Sequence, residues 1–539
     1  MKNFIVFSII LIFTMLKMQA GGLVTNTNHS ASFTRLQNRN ASTGIDAVYF
    51  NPAGLTKLGN GFFVSLNNQT ISQTKTVLTD YGNLNGTPRT YIGDVRAPLY
   101  PGVYAVYNEG NFSLSAGFNP IGGGGGAKYK TGLPSFEMPI STLPLGLTGS
   151  GIPTSKYSAN IYFEGTSVYF GYQFNVAYKL NEQLSVGAGI RIVSAKNTYK
   201  GHIKDIMINP NQPAFGNEYN GSNMVSAPNF FLNGSIAFSR LSSKSYDLST
   251  ALALAMADGL PGETPITDLS AEQQSQIATL FGAAGIDGTG MNVGTARTTL
   301  YTLNVQFNDK GNTMAYYKNS TTDKDADVEE RGSGFTPILS INYSPSDKFN
   351  FSLRYEFKTN LILKTKVFDG KSAGGMFYDG NYTVADMPAL LAVGAEVIPI
   401  DRLAIAATFN TFFDKKVDYS GGYNVDMIKR NYLEYGIGIE YGITEKFRLS
   451  AGWLGTNTGI LPEYQNDQRF SSNSNSFGFG ADYRISPMID INIGGQYSIN
   501  ADYEKNPPVF GAPQYSHTET YSKKTTIFAI GLDFYFGKK

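Results

Sequence analysis

Cysteine is missing from all 539 positions of this chain, which excludes disulfides, thiolate nucleophiles and cysteine-held metals. Histidine is nearly missing: His29, His202 and His517 stand far apart, and none has the His-x-x-x-His spacing of a zinc site. No local motif pairs Ser with His for nucleophilic catalysis, so neither an enzyme nor a cofactor is expected. Charge is scarce, at 16% of residues, and balances to a net +1, which gives no electrostatic case for nucleic acid. Long apolar runs are lacking as well. The one candidate, Phe4–Leu16, is too short to span a bilayer as a helix. With Lys2 before it and Ala20 just after it, this stretch reads as a signal peptide over 1–20, so the chain is expected to be exported.

What the chain has in abundance is Phe (36), Tyr (34) and Gly (59), the composition of many short strands with turns and aromatic girdles. Side chains on a strand point to opposite faces with period two. In the last strand Phe528, Ile530, Leu532, Phe534 and Phe536 share one face, while Ala529, Gly531, Asp533 and Tyr535 share the other. The segment from Phe349 alternates in the same way, with Phe349, Phe351, Leu353, Tyr355 and Phe357 set against Asn350, Ser352, Arg354, Glu356 and Lys358. Counting the weaker examples at Phe62–Thr76, Val103–Tyr107 and Phe112–Phe118 gives fourteen such segments. Short turns, such as 108–111, 181–183 and 486–488, alternate without exception with long connections. The pattern predicts an all-β, 14-stranded antiparallel transmembrane β-barrel over 59–539, with periplasmic turns and external loops.

Two segments stand apart. The longest loop, 200–332, is expected to carry two short amphipathic helices. One uses Leu248, Ala251, Leu252 and Ala255; the other opens on a Ser270/Gln273 capping box and ends at Gly285. Residues 21–58 lack alternation and are rich in Asn and Gly, which suits a plug inside a barrel too wide to be filled by its own side chains.

Within that segment lies Val48-Tyr49-Phe50-Asn51-Pro52-Ala53-Gly54-Leu55, about ten residues before the first strand. It resembles the N-terminal hatch of the FadL family, outer-membrane transporters of long-chain fatty acids and other hydrophobic compounds. Asn51, Pro52, Ala53 and Gly54 carry the resemblance. It implies ligand capture at external loops, a lumen site beside the hatch, and lateral exit where the third strand kinks. The equivalent kink would fall at Gly117, Phe118, Asn119 and Pro120; the glycine run Gly122–Gly126 that follows reads as external loop.

With the apolar faces toward lipid, the lumen receives the charges, among them Arg191, Arg354, Glu356, Lys358, Glu434 and Asp490. A salt-bridged lining that holds the hatch is the expectation, with Arg354 or Lys358 the alternative contacts for a ligand carboxylate. The expected partners are a hydrophobic small molecule, outer-membrane lipid and, through the aromatic ending at Phe536, the barrel assembly machinery. The barrel is expected to be a monomer without cofactor. A general porin for polar solutes and a surface adhesin are the alternative readings.

Overall fold

The computed structural model describes residues 30–417, 427–510 and 512–537. The expected signal peptide and the first part of the expected hatch lie outside the described residues. The first five wall strands are β1 (Gly61–Thr79), β2 (Arg89–Glu109), β3 (Phe112–Tyr129), β4 (Tyr157–Lys179) and β5 (Leu184–Ile208). Each next strand adds antiparallel to its predecessor, and β1 closes on the last strand, Glu519–Tyr535, from Phe63↔Tyr535 to Thr79↔Glu519. The product is a closed 14-stranded antiparallel β-barrel. Closure leaves the wall without an edge strand, as a bilayer demands.

The alternation sorts as the hydrophobic effect requires. Phe528, Ile530, Phe349, Phe351 and Leu353 are exposed on the outer surface, whereas Ala529, Arg191, Arg354, Glu434 and Asp490 are buried inside. An outward Arg or Lys at the bilayer midplane would cost about 2–4 kcal/mol. On the last strand the outward apolar band runs from Phe528 to Phe536 and gives way to Thr526 and Lys524. The strands continue past this band toward the long loops, with Thr70, Ser72, Thr74 and Thr76 facing out on β1.

That extension corrects several loop boundaries. Loss of alternation makes 78–98 read as a long connection in sequence, yet it shrinks to 80–88 because β1 runs to Thr79 and β2 already begins at Arg89. Polar residues on the outward face erase the alternation there, so only the backbone pairing reveals the strand. The glycine run is corrected too: Gly122–Gly126 lies inside β3, paired with β4 from Gly122↔Tyr169 to Gly126↔Thr166. Gly123 has φ +89°, and any Cβ there would collide with the Ser167 carbonyl, so glycine is required for the close pairing.

The connection between β3 and β4 holds two short helices, α3 (Pro134–Ser141) and α4 (Leu143–Gly149). The longest loop departs most from expectation. In place of two short helices it contains α5 (Ala227–Ala257), α6 (Ala271–Ala284) and α7 (Val293–Thr321). Residues 203–323 belong to a compact unit of their own, with 139–160. Its core gathers Leu248, Leu252, Ile277, Leu280, Phe281, Leu300, Leu303 and Phe307. The stripe on α7 is set among Thr and Asn, weak helix formers, so packing against α5 decides the helix rather than propensity. α6 begins on the expected capping box, Gln273 N–H donating to Ser270 Oγ at 3.3 Å and Ser270 N–H to Gln273 Oε1 at 3.2 Å. It ends on Gly285 in the left-handed region. Ser270→Ala is expected to cost α6 about 1 kcal/mol. Hydrogen exchange across residues 271–284 should quicken accordingly, while the barrel strands keep their protection.

Candidate functional site

The hatch is a short polar chain folded inside the lumen. Ser30 caps α1 (Ala31–Arg35), accepting from the Phe33 N–H at 2.9 Å. After a coil come α2 (Ala47–Phe50) and a 3-10 turn, Pro52–Lys57, that leads out to β1. Nearly every residue from Ser30 to Leu55 is buried, although more than half of them are polar, Gly or Pro. Burial of that much backbone is tolerable only if its polar groups find partners.

The barrel wall supplies them. Gln173 and Asn175 donate to the Val48 carbonyl at 2.8 and 3.1 Å. Asn350 donates to the Ala41 carbonyl at 2.7 Å and Ser352 to that of Asn40 at 2.6 Å. Asn108 donates to the Leu55 carbonyl at 2.8 Å. Elsewhere the hatch main chain runs so close to the wall that no side chain fits. A Cβ on Gly394 would strike the backbone of Asn40 and Ala41, and one on Gly478 would lie 2.5 Å from the Thr34 carbonyl oxygen.

Asn51, Pro52, Ala53 and Gly54 form one clamp. The Asn51 amide donates to the Ser42 carbonyl at 3.0 Å and to Asn342 Oδ1 at 2.7 Å, so it ties two parts of the hatch to the wall. Pro52 starts the 3-10 turn, and the Ala53 N–H donates to Ser340 Oγ at 3.0 Å. Gly54 packs where a Cβ would meet the Asn51 amide and the Ser42 carbonyl.

Beside the clamp the charges converge on Tyr49. Its ring lies between the Arg191 and Arg354 guanidinium groups, 4.7 and 4.8 Å from the ring centre. Glu356 binds Arg191 through two hydrogen bonds of 2.6 and 2.9 Å and lies 3.5 Å from Arg354. Arg354 also donates to the Tyr49 carbonyl. Of the two cations singled out in sequence, Arg354 thus holds the hatch. Lys358 is bound to Asp386 at 2.8 Å, where two neighbouring wall strands are each interrupted. Arg191 and Glu356 were legible only as lumen charges, and their pairing across 165 residues was not.

Within the hatch, Arg39 and Asp46 pair at 2.7 Å, with Ser42 donating to the carboxylate at 2.6 Å. Burial pushes the Asp46 pKa up, but the adjacent guanidinium more than offsets this and holds it below the usual carboxylate range. On the side of the short turns the lumen is ionic. Arg35 and Arg448 both bind Glu440, Arg448 binds Asp482 at 2.7 Å, and Arg484 binds Asp490 at 3.0 Å. The other flank of the hatch mixes apolar side chains with amides, among them Gln37, Asn40 and Asn410. Phe33, Phe50, Leu390, Phe412 and Leu454, with Arg354 and Glu434, line a cavity of about 20 Å³. That is room for about one water molecule.

The β2–β3 pairing is interrupted next to the hatch. The β2–β3 ladder runs from Glu109↔Phe112 to Val103↔Phe118, stops, and resumes at Asp94↔Lys128. Gly117 and Phe118 are still paired with β2, whereas Asn119 and Pro120 have left it and remain paired only with β4. Ile121, just beyond, is buried in one cluster with Val48, Tyr49 and Phe50.

Among solved structures, a FadL homologue from Pseudomonas aeruginosa superposes with a TM-score of 0.56. The match covers 96% of this chain and 100% of that one, at 13% identity. This is the FadL-type fold. The Pseudomonas putida toluene transporter TodX is more loosely similar, at TM-score 0.48 and 14% identity over 95% of this chain and 99% of that one. So is the Ralstonia pickettii toluene transporter TbuX, at 0.45 and 16% over 91% and 94%. No family model matches the chain, and no curated protein matches it in sequence. A FadL-type barrel with this outward apolar band belongs in an outer membrane.

Glu356→Leu strands two buried guanidinium groups around Tyr49. Removing one partner of a buried pair costs about 3–5 kcal/mol, and urea unfolding of the folded barrel should show a loss of that order. Gly394→Val acts on the hatch alone. It should displace Asn40–Ala41, leave the barrel's heat-resistant migration intact, and raise single-channel conductance above that of the parent.

Proposed function

We propose that this barrel takes hydrophobic molecules across the outer membrane, with long-chain fatty acids the leading substrate class. The observation that carries the reading is the break in the β2–β3 ladder directly beside the buried hatch. Ligand is captured at the external loops and passes to the apolar flank of the hatch. At present that flank has space for about one water, so Phe33 or Phe50 must move to admit an acyl chain. Ile121 packs on Val48 and Phe50, so a shift of the hatch is felt at the opening in the wall. Phe118 and Pro120 mark the edge of that opening.

Exit is lateral, and the lumen chemistry supports this direction. An apolar chain is worth about 0.8 kcal/mol per buried methylene. Passage along the ionic floor of Glu440, Arg448, Asp482 and Arg484 would forfeit most of that for an eighteen-carbon chain. Passage through the wall delivers it to lipid. Neither Arg354 nor Lys358 is needed for binding in this scheme; each already has a partner in the protein. The barrel acts as a monomer, delivered by a signal peptide and inserted by the assembly machinery through Phe536.

The reading is tested with radiolabelled oleate on the detergent-folded barrel, with toluene as competitor. Saturable binding is expected, and a photoreactive oleate should label the two edges of the opening, 95–102 and 119–127. Conductance without saturable binding of either compound would replace the reading with that of a porin.

A further inference from the structure

Where β1 leaves the outward apolar band it carries uncharged residues, Thr70, Ser72, Thr74 and Thr76. One arc of the wall leaves the band on cations instead. It is formed by β5 and the strands Lys324–Ser346 and Ile362–Ser372, each paired with the next. On β5 the outward face passes from Ile190 and Ile192 through Ser194 to Lys196 and Lys200, while Val193, Ala195, Asn197 and Tyr199 are buried on the other face. On the second strand Phe335 gives way to Ser333, Arg331 and Glu329, opposite the buried Val328 and Glu330. On the third, Ile362 gives way to Lys364 and Lys366, opposite the buried Leu363 and Thr365.

Pairing brings these charges into one patch. Arg331 is the cross-strand partner of Lys364, and Glu329 that of Lys366. From β5, Lys196 reaches Glu329 at 2.9 Å and Lys200 lies 3.7 Å from Asp327. Strands lie about 4.8 Å apart, so the patch is about 10 Å wide. Five cations thus meet two carboxylates. Lys196 and Arg331 share Glu329, and Lys200 has Asp327. Among the described residues, Lys364 and Lys366 have no ion pair. Their ammonium groups lie over the rings of Tyr382 and Phe368, at 5.8 and 4.8 Å. The acids farther along are engaged elsewhere: Asp369 is 3.5 Å from Lys371, and Asp379 accepts from the Val367 N–H at 2.8 Å.

We infer that this arc binds a phosphorylated lipid of the external leaflet, its phosphate among Lys196, Arg331, Lys364 and Lys366. Depth decides for a lipid. Ile192, Phe335 and Ile362 are exposed directly below the cations, so the patch lies at the edge of the hydrocarbon, where a head group sits above its own acyl chains. Charge decides for phosphate. The patch has more positive charge than its two carboxylates balance, and the Arg331 guanidinium offers paired N–H donors that suit phosphate oxygens. The site faces lipid and not the lumen, so it stands apart from the uptake reading and needs only the placement in an outer membrane.

The test is native mass spectrometry of the full-length folded barrel in uncharged detergent, titrated with lipid A and with dephosphorylated lipid A, which share their acyl chains. The parent should prefer the phosphorylated form by about tenfold or more, the usual worth of hydrogen bonds to a charged group. Raising the salt should weaken that preference. Lys364→Gln/Lys366→Gln breaks no ion pair; it should lower binding of lipid A about tenfold and leave that of the dephosphorylated form unchanged. Lys364→Arg/Lys366→Arg should restore binding, which separates charge from folding. Lys524→Gln, at an outward lysine of the last strand, should change neither. Equal binding of the two forms by the parent, an unchanged preference in the Gln variant, or an equal loss from Lys524→Gln overturns the site. Displacement of lipid A by an equal concentration of inorganic phosphate also overturns it, because a free anion would then suffice. Each of these results leaves the oleate experiment untouched.

Discussion

The structure depends on one constraint, that backbone polar groups shut away from water must be satisfied by protein. It acts twice. In the wall it forces closure, so that β1 meets the last strand and no edge faces lipid. In the lumen it governs the hatch, a segment too polar to fold around a core of its own. The hatch is held because the inward face of the barrel presents amide and hydroxyl side chains to its carbonyls, and glycine where its backbone touches the wall. The hatch is thus a guest whose stability is mostly borrowed from its host.

The two ends of the lumen differ in chemistry. Toward the short turns the lining is ionic and closely paired. Beside the hatch Phe and Leu side chains mix with amides and single charges, and the β2–β3 ladder is interrupted there. The arginines that grip Tyr49 sit beside the buried cluster that joins the hatch to the wall. The strand whose pairing with β2 is interrupted is the same one that shares a buried cluster with the hatch through Ile121.

Much of the fold was legible because a strand in a membrane barrel is a local code. Period-two alternation at Phe349–Glu356 or Phe528–Phe536 needs no knowledge of the partner strand, and lipid on one side enforces it. Where lipid stops, the code stops. The upper part of β2 and the glycine-rich part of β3 are strands by pairing alone, and in sequence they read as loop. The capping box of α6 was visible for the same local reason, while α7 was not, since its buried stripe runs through Thr and Asn. At the hatch, the Asn51-Pro52-Ala53-Gly54 segment could be recognised as a motif, but its role as a clamp on Ser340 and Asn342 could not.

The sequence by itself determined that the chain closes into a barrel, which face of each strand meets lipid, and which charges enter the lumen. Those properties follow from the alternation of neighbouring residues and from the cost of charge in hydrocarbon. Tertiary structure alone decided which charges meet. Arg191 finds Glu356 and Arg35 finds Glu440, at a separation of hundreds of residues in the second case. Register and closure set those encounters. A strand's own residues say which way a side chain points, and only its neighbours say what it will face.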